Sequence, residues 1–266
     1  VNEKSIKCAV ASEMLHTATL LHDDVADNAE YRRGRKTVFS IFSGAVSVLV
    51  GDFWLSRAVR QVLETENNDI FECYVRTIED LAEGEMLQLS KAEQLDTTYD
   101  DYISIISRKT SSLFIATIKS AAISAGATPE QVEAASNYAH KLGLAFQMRD
   151  DILDYSPQMN TGKTPGLDLL ERKITIPLLS AFEQSTTEEI DSVKAKLAKI
   201  GGSESNDLEI VAQVYDFVKE KNGVEIAQHK LTELGEEAAC ELSQFEDNQA
   251  KEYLLSLIRF VCDRKV

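Results

Sequence analysis

The chain has 266 residues, 44% hydrophobic and 27% charged, a balance that suits a folded globular protein and excludes an extended disordered one. With 28 basic against 44 acidic residues, its formal charge of −16 disfavours nucleic-acid backbones and anionic lipid surfaces, although divalent cations can still bridge its carboxylates to a phosphorylated substrate. No apolar run reaches the ~18 residues of a membrane span and no signal-peptide pattern opens the chain. Four dispersed cysteines (Cys8, Cys73, Cys240, Cys262) read as reduced thiols of a cytoplasmic protein.

Periodicity predicts helices over 5–31, 38–64, 69–92, 97–125, 129–156, 172–184, 187–200, 206–221, 223–245 and 249–263. Thr128-Pro129-Glu130 reads as an N-cap with proline at the first helical position. Ile190, Val193, Leu197 and Ile200 form an apolar stripe, with Thr187 at the start of that helix and Gly201 at its end. The clearest loop is 156–166, with two prolines and two glycines. No strand alternation, low-complexity tract or short repeat interrupts the series. The expectation is one all-α domain over 1–266.

Two aspartate clusters stand out. Asp23-Asp24-Val-Ala-Asp27 and Asp150-Asp151-Ile-Leu-Asp154 both read DDxxD, 127 positions apart, and one such pattern by chance is expected well below once in this length. On a helix, positions i and i+4 share a face, so Asp23 stands beside Asp27 and Asp150 beside Asp154. Carboxylates ~5.5 Å apart repel by about 3 kcal/mol at an effective dielectric near 20, which calls for a counter-charge. Each cluster follows an apolar helix, where the negative end of the macrodipole adds to the cost. Two such helix ends facing each other would form a hard, oxygen-lined site for Mg²⁺, which keeps part of its water shell and accepts substrate phosphates.

With their flanks, these motifs resemble the trans-isoprenyl diphosphate synthases. His16-Thr-Ala-Thr-Leu-Leu-His22-Asp-Asp-Val-Ala-Asp27 followed by Arg32-Arg33-Gly34 is similar to the family's first aspartate-rich motif, and Phe146-Gln147-Met-Arg-Asp150-Asp-Ile-Leu-Asp154 to its second. Between them lie Val50-Gly51-Asp52-Phe53, Ala82-Glu83-Gly84-Glu85 and Lys109-Thr110, in the family's order. The long-chain polyprenyl (octaprenyl-type) branch looks nearest. The resemblance implies a helical bundle of the isoprenoid synthase type with a central substrate cavity. It also implies Mg²⁺, three ions per active site, and a reaction in which an allylic diphosphate ionises and is attacked by the double bond of isopentenyl diphosphate.

Carried over residue by residue, the resemblance makes Asp23, Asp27 and Asp150 metal ligands, with Asp24 and Asp154 beside them. Asp23, Asp24, Asp27, Lys109 and Asp150 are the catalytic set it implies. Arg32 would contact the allylic diphosphate and Arg33 the isopentenyl diphosphate, each through a guanidinium fork suited to phosphate oxygens. Lys109, Thr110 and Gln147 match allylic-diphosphate contacts, His16 a contact to isopentenyl diphosphate, and His22 adjoins the motif as support. Taken alone, His16 would read as a hydrogen-bonded core histidine.

Gly162-Lys163-Thr164 superficially resembles a nucleotide-binding loop, but Pro157 stands where that loop needs glycine and a helix precedes it, so the reading is rejected. By resemblance, Lys163 would instead sit on a loop that closes over the diphosphate, with Lys173 a further basic contact. The family's Gly-Lys-x-Arg-Pro-like element has no counterpart here, since only 22 residues precede Asp23, and it is expected before Val1 in a longer chain. Five residues before Asp23, Ala18 leaves a hydrocarbon tunnel open where an aromatic would floor it, which points to a product of roughly C30 to C50. A homodimer without stable membrane insertion is also implied. The alternatives are a class I terpene cyclase and a catalytically incomplete subunit of a heteromeric prenyl synthase.

Overall fold

The computed structural model describes residues 1–155, 166–202 and 206–264, almost all of them in helices. They fall into two compact units, one of Val1–Glu79 with Leu113–Ser136 and the other of Asp80–Ser112 with Asn137–Val266.

In the first unit, α1 (Glu3–Ala26) starts at a capping box in which Asn2 and Ser5 satisfy each other's backbone N–H groups. Cys8, Ala11, Leu15, Ala18 and Leu21 form its buried stripe, three or four residues apart. The helix expected over 5–31 stops five residues early. Asp27 caps it, Asn28 adopts a left-handed φ of 50°, and a short hairpin follows, β1 (Tyr31–Arg32) against β2 (Arg35–Lys36). At the tip, Arg33 and Gly34 have φ of 51° and 74°, the paired positive values of a tight two-residue turn. Two residues per strand are too few to leave an alternation in the sequence.

The helix expected over 38–64 is two, α2 (Val38–Ile41) and α3 (Gly44–Leu63), each opened by a hydroxyl cap, Thr37 and Ser43. α1 packs chiefly on α3. Ser47 donates to the Leu21 carbonyl at 2.8 Å, and a Cβ on Gly51 would lie 2.3 Å from His22 Nε2, so α3 meets α1 at a glycine. α4 (Asn68–Gln94) begins in this unit and ends in the other. A buried polar cluster closes the first core: Tyr74 bonds the Cys8 carbonyl and Ser12 at 2.7 Å, and Thr117 donates to Ser12 at 2.9 Å.

In the second unit, α5 (Tyr99–Ile106) runs into a π-helical stretch, Ser107–Ser111; α6 (Ser112–Ser124) follows and belongs, from Leu113 on, to the first unit. α7 (Pro129–Asp154) opens at the expected Thr128-Pro129 cap and ends on the second aspartate cluster. After it come α8 (Leu167–Leu170), α9 (Ile176–Phe182), α10 (Thr187–Leu197), α11 (Asp207–Glu220), α12 (Gly223–Glu241) and α13 (Gln249–Asp263).

Residues 172–175 are not helical, because Arg172 takes a left-handed φ of 57° and α9 opens on Pro177 at its second position. α9 buries Ile176, Pro177, Leu178, Leu179 and Ala181, and α12 crosses it at Gly223, where a Cβ would meet the Pro177 carbonyl at 2.3 Å. α10 is capped by Thr186, one residue before the expected start, and α12 ends at Glu241 rather than 245. The loop expected over 156–166 lies, save Gly166, outside the described residues.

Candidate functional site

Asp23 and Asp24 occupy the last turn of α1, and Asp27, whose N–H bonds the Asp23 carbonyl at 2.8 Å, is the capping residue. Asp23 is half-buried, Asp27 exposed and Asp24 buried. The hairpin folds back so that Arg32 Nε donates to Asp24 Oδ1 at 2.7 Å, while Arg33 remains exposed at the turn. One basic residue of the Arg-Arg-Gly run therefore neutralises the buried member of the cluster. His22 Nε2 lies 3.2 Å from Asp52 Oδ1, tying the Val-Gly-Asp-Phe segment to the same helix end. His16 is exposed rather than a core residue. Partial desolvation, aided by the charges of Arg33 and Arg32 and opposed by Glu13, holds its pKa below the usual histidine value.

The second unit gathers Lys109, Thr110, Gln147 and Lys173 around one cavity of about 120 Å³, with Asp151 and Asp168 in its wall. The π-helical stretch carries Lys109 and Thr110; such an insertion re-aims side chains at the cost of regular helix bonds. It is seated on α4 at Gly84, where a Cβ would lie 2.8 Å from the Lys109 backbone nitrogen. From the same α4 turn, Glu85 pairs with Lys109 and Glu83 with Arg108.

Thr110 Oγ1 donates to Gln147 Oε1 at 2.8 Å, Gln147 Nε2 to Asp151 Oδ1 at 2.8 Å, and Tyr102 to Asp151 Oδ2 at 2.6 Å. This chain fixes which way the Gln147 amide faces. Asp150, one residue earlier, pairs with Arg264, and the Asp168 N–H approaches Asp154 Oδ2 at 3.4 Å. Lys173 pairs with Glu171. Lys163 lies outside the described residues.

Electrostatics single out Asp151. Burial pushes its pKa up to about 6, aided by the charges of Asp150 and Asp154 and opposed by the bonds from Tyr102 and Gln147. Asp168 is raised too, mainly by burial, and Tyr102 keeps its proton because it is buried against Asp151. A carboxylate raised in the folded state binds its proton more tightly there than when unfolded, so its ionisation costs stability between about pH 4 and 6. In metal-free protein, the stability of wild type relative to Asp151→Asn should therefore fall by up to roughly 3 kcal/mol from pH 4 to 7, read by denaturant unfolding at each pH. A flat difference would contradict the assignment.

Asp151, Tyr102, Asp168 and Arg264 were not singled out as functional from sequence. Asp151 stands inside a recognised motif, but nothing local distinguishes its inward role. The other three carry no spacing signal.

Both clusters offer hard carboxylate oxygens at a helix end, in i, i+4 pairs, which is the donor chemistry Mg²⁺ takes. Among the described residues, no three His, Cys, Asp or Glu side chains are grouped as a ready-made cage. A Mg²⁺ ion bound by one or two carboxylates completes its shell with water and substrate phosphate, so Asp23 with Asp27, and Asp150 with Asp154, fit that partial role.

Residues 1–218 match the family model for polyprenyl synthetase. Over 259 residues the chain is 38% identical to an all-trans-nonaprenyl-diphosphate synthase (geranyl-diphosphate specific) of Rhodobacter capsulatus, covering 97% of this chain and 78% of that one. It is 34% identical over 260 residues to an octaprenyl diphosphate synthase of Escherichia coli, covering 97% and 79%. A solved polyprenyl synthase from Caulobacter crescentus, complexed with calcium and isoprenyl diphosphate, superposes with a TM-score of 0.88 at 36% identity, over 98% of this chain and 78% of that one. A family match across most of the length, joined to paired aspartate clusters that each end a helix, leaves one assignment: the chain belongs to the polyprenyl synthetase family and is a prenyltransferase.

Proposed function

We propose that the protein condenses isopentenyl diphosphate with an allylic diphosphate to give a trans-polyprenyl diphosphate of roughly C30 to C50, a length favoured by the small Ala18 five residues before Asp23, where an aromatic would floor a tunnel. The observation that carries this reading is the convergence of Lys109, Thr110, Gln147 and Lys173 on one cavity of the second unit, beside the Asp150–Asp154 helix end. Mg²⁺, three ions per active site, would be held by Asp23, Asp27, Asp150 and Asp154 and would supply the positive charge that a departing diphosphate requires.

The chain's own residues do the rest. Lys109 and Thr110, fixed by the π-helical stretch, hold the allylic diphosphate, and the Gln147 amide, oriented by Asp151, adds a donor. Arg32 and Arg33, on the hairpin after α1, orient the two substrates, with His16 on α1 as a further contact to isopentenyl diphosphate. Lys173 adds a basic group to the wall of the same cavity. Asp24, paired with Arg32, sets where that arginine stands.

Incubation of the full-length protein with Mg²⁺, farnesyl diphosphate and isopentenyl diphosphate tests the reading. Elongation supports it, a cyclic hydrocarbon would replace it with a terpene cyclase, and activity only with an added subunit would replace it with the heteromeric reading. In the same assay, Ala18→Phe should shorten the product by several isoprene units. Ala18 is 1% exposed on the buried stripe of α1, so thermal unfolding of the variant accompanies the product analysis and separates a blocked tunnel from an overpacked core. Chromatography showing unchanged product would defeat the tunnel assignment.

No helix among the described residues is long and apolar enough to cross a membrane. We assign the protein to the cytoplasm and to a homodimer. The solvent side of α3 supports the dimer, since Val46, Leu49 and Phe53 form an exposed apolar stripe at helical spacing.

A further inference from the structure

α13 ends against the second aspartate cluster in a way that no motif announces. Arg149, buried on α7, donates through Nε to the Arg264 carbonyl at 2.7 Å and through Nη1 to Gln228 Oε1 at 2.5 Å. The backbone at Arg264 is thus pinned to α7 and, through Gln228, to α12. The Arg264 guanidinium then lies over the Phe146 ring, 4.3 Å from its centroid, donates to the Phe146 carbonyl at 3.1 Å, and pairs with Asp150 Oδ1. Phe146 and Asp150 are one helical turn apart, so the guanidinium spans the last turns of α7 where the macrodipole is negative.

We infer that Arg264 is a positioning residue for Asp150: it holds this carboxylate while no metal is bound, and a divalent cation must displace it to gain the Asp150 oxygen. This rests on the reading of Asp150 as a metal ligand.

Two physical points carry it. Arg264 has only 13% of its side chain exposed, so solvent does little to screen its charge from Asp150. Its backbone is also held separately, by Arg149 at the Arg264 carbonyl, so the guanidinium can let go of Asp150 without unfolding the end of α13. The strain of several acidic residues at one helix end is met by protein charge in the resting state and by metal in the working one. That combination favours weak, reversible metal binding that tightens only when a diphosphate contributes further oxygens.

The test is Mn²⁺ titration of the full chain without substrate, following free ion by electron paramagnetic resonance, for wild type, Arg264→Gln, Arg264→Lys and Asp150→Asn. Removing a competing charge should outweigh the freedom returned to one short side chain. Arg264→Gln is therefore expected to bind Mn²⁺ at least threefold more tightly, with Arg264→Lys close to wild type. Asp150→Asn should bind more weakly. If Asp150→Asn weakens binding while Arg264→Gln leaves it equal or weaker, the inference is overturned and the ligand assignment stands. If Asp150→Asn binds as wild type does, the ligand assignment falls and takes the inference with it. Should Arg264→Gln fail to fold, labelling of the wild-type protein by phenylglyoxal decides: modification of Arg264 should rise at saturating Mg²⁺, and an unchanged or lower yield overturns the displacement.

Discussion

Asp23→Asn is expected to lower kcat/KM by about a thousandfold, a loss of roughly 4 kcal/mol of transition-state stabilisation, with little change in unfolding temperature. Asp24→Asn, one residue away, should lose mainly stability and substrate affinity instead. The reason is where the two carboxylates stand. Asp23 is half-buried on the face it shares with Asp27, where on the proposed reading the two carboxylates hold the metal that grips the diphosphate. Asp24 is 4% exposed and its Oδ1 accepts from Arg32 at 2.7 Å. Neutralising Asp24 weakens a charge-assisted bond and frees the hairpin arginine, at a cost of about 1–2 kcal/mol to stability, moderated because Arg32 itself reaches solvent. Its kinetic signature should be a raised KM for the allylic diphosphate. Steady-state kinetics with thermal unfolding of both variants checks the contrast. Equal kinetic losses, with equal stability, would mean that Asp24 also binds metal directly.

The second large effect is expected at Gly84. Its Cβ in an alanine variant would stand 2.8 Å from the Lys109 backbone nitrogen and 2.9 Å from Arg108 Cβ. Neither can swing aside, since one is backbone and the other the root of a side chain. α4 and the π-helical stretch must then separate, costing about 1–3 kcal/mol of stability, or roughly 2–10 °C in unfolding temperature. The kinetic loss should exceed what that implies. Lys109 and Thr110 ride on the displaced segment, and the pairing of Lys109 with Glu85 is spaced by the same glycine. A displacement of ~1 Å at a substrate-positioning residue is worth about a hundredfold in rate. Gly84→Ala measured well below its unfolding temperature should therefore lose about two orders of magnitude in kcat/KM for the allylic substrate. Retained activity would show that the stretch tolerates the separation.

How far the sequence alone could be read follows from which interactions are local. The helix-start caps at Thr128-Pro129, the apolar stripe of α10 and the termination of two helices on aspartate clusters all concern residues within a turn or two of one another, and the structure has each of them. The errors have the same origin. A hairpin of two-residue strands offers no period to detect, and a second N-cap at Ser43 interrupts an apolar run that stays helical on both sides. The short α8 is set by left-handed residues on either side of it, Gly166 and Arg172, and α12 ends early because the chain tightens into a 3-10 turn over Leu242–Gln244.

The amino-acid order by itself determined the helical class, the family and the placing of carboxylates in i, i+4 pairs, because helical periodicity and motif spacing are written in neighbouring residues. Only the tertiary structure decided which of those charges are spoken for: Asp24 by Arg32, Lys109 by Glu85, Asp151 by Tyr102 and Gln147, and Asp150 by Arg264. The last of these partners is 114 positions from its aspartate. Such pairings form when packed helices bring distant side chains within hydrogen-bond reach, and burial then sets their strength, so no local pattern could announce them.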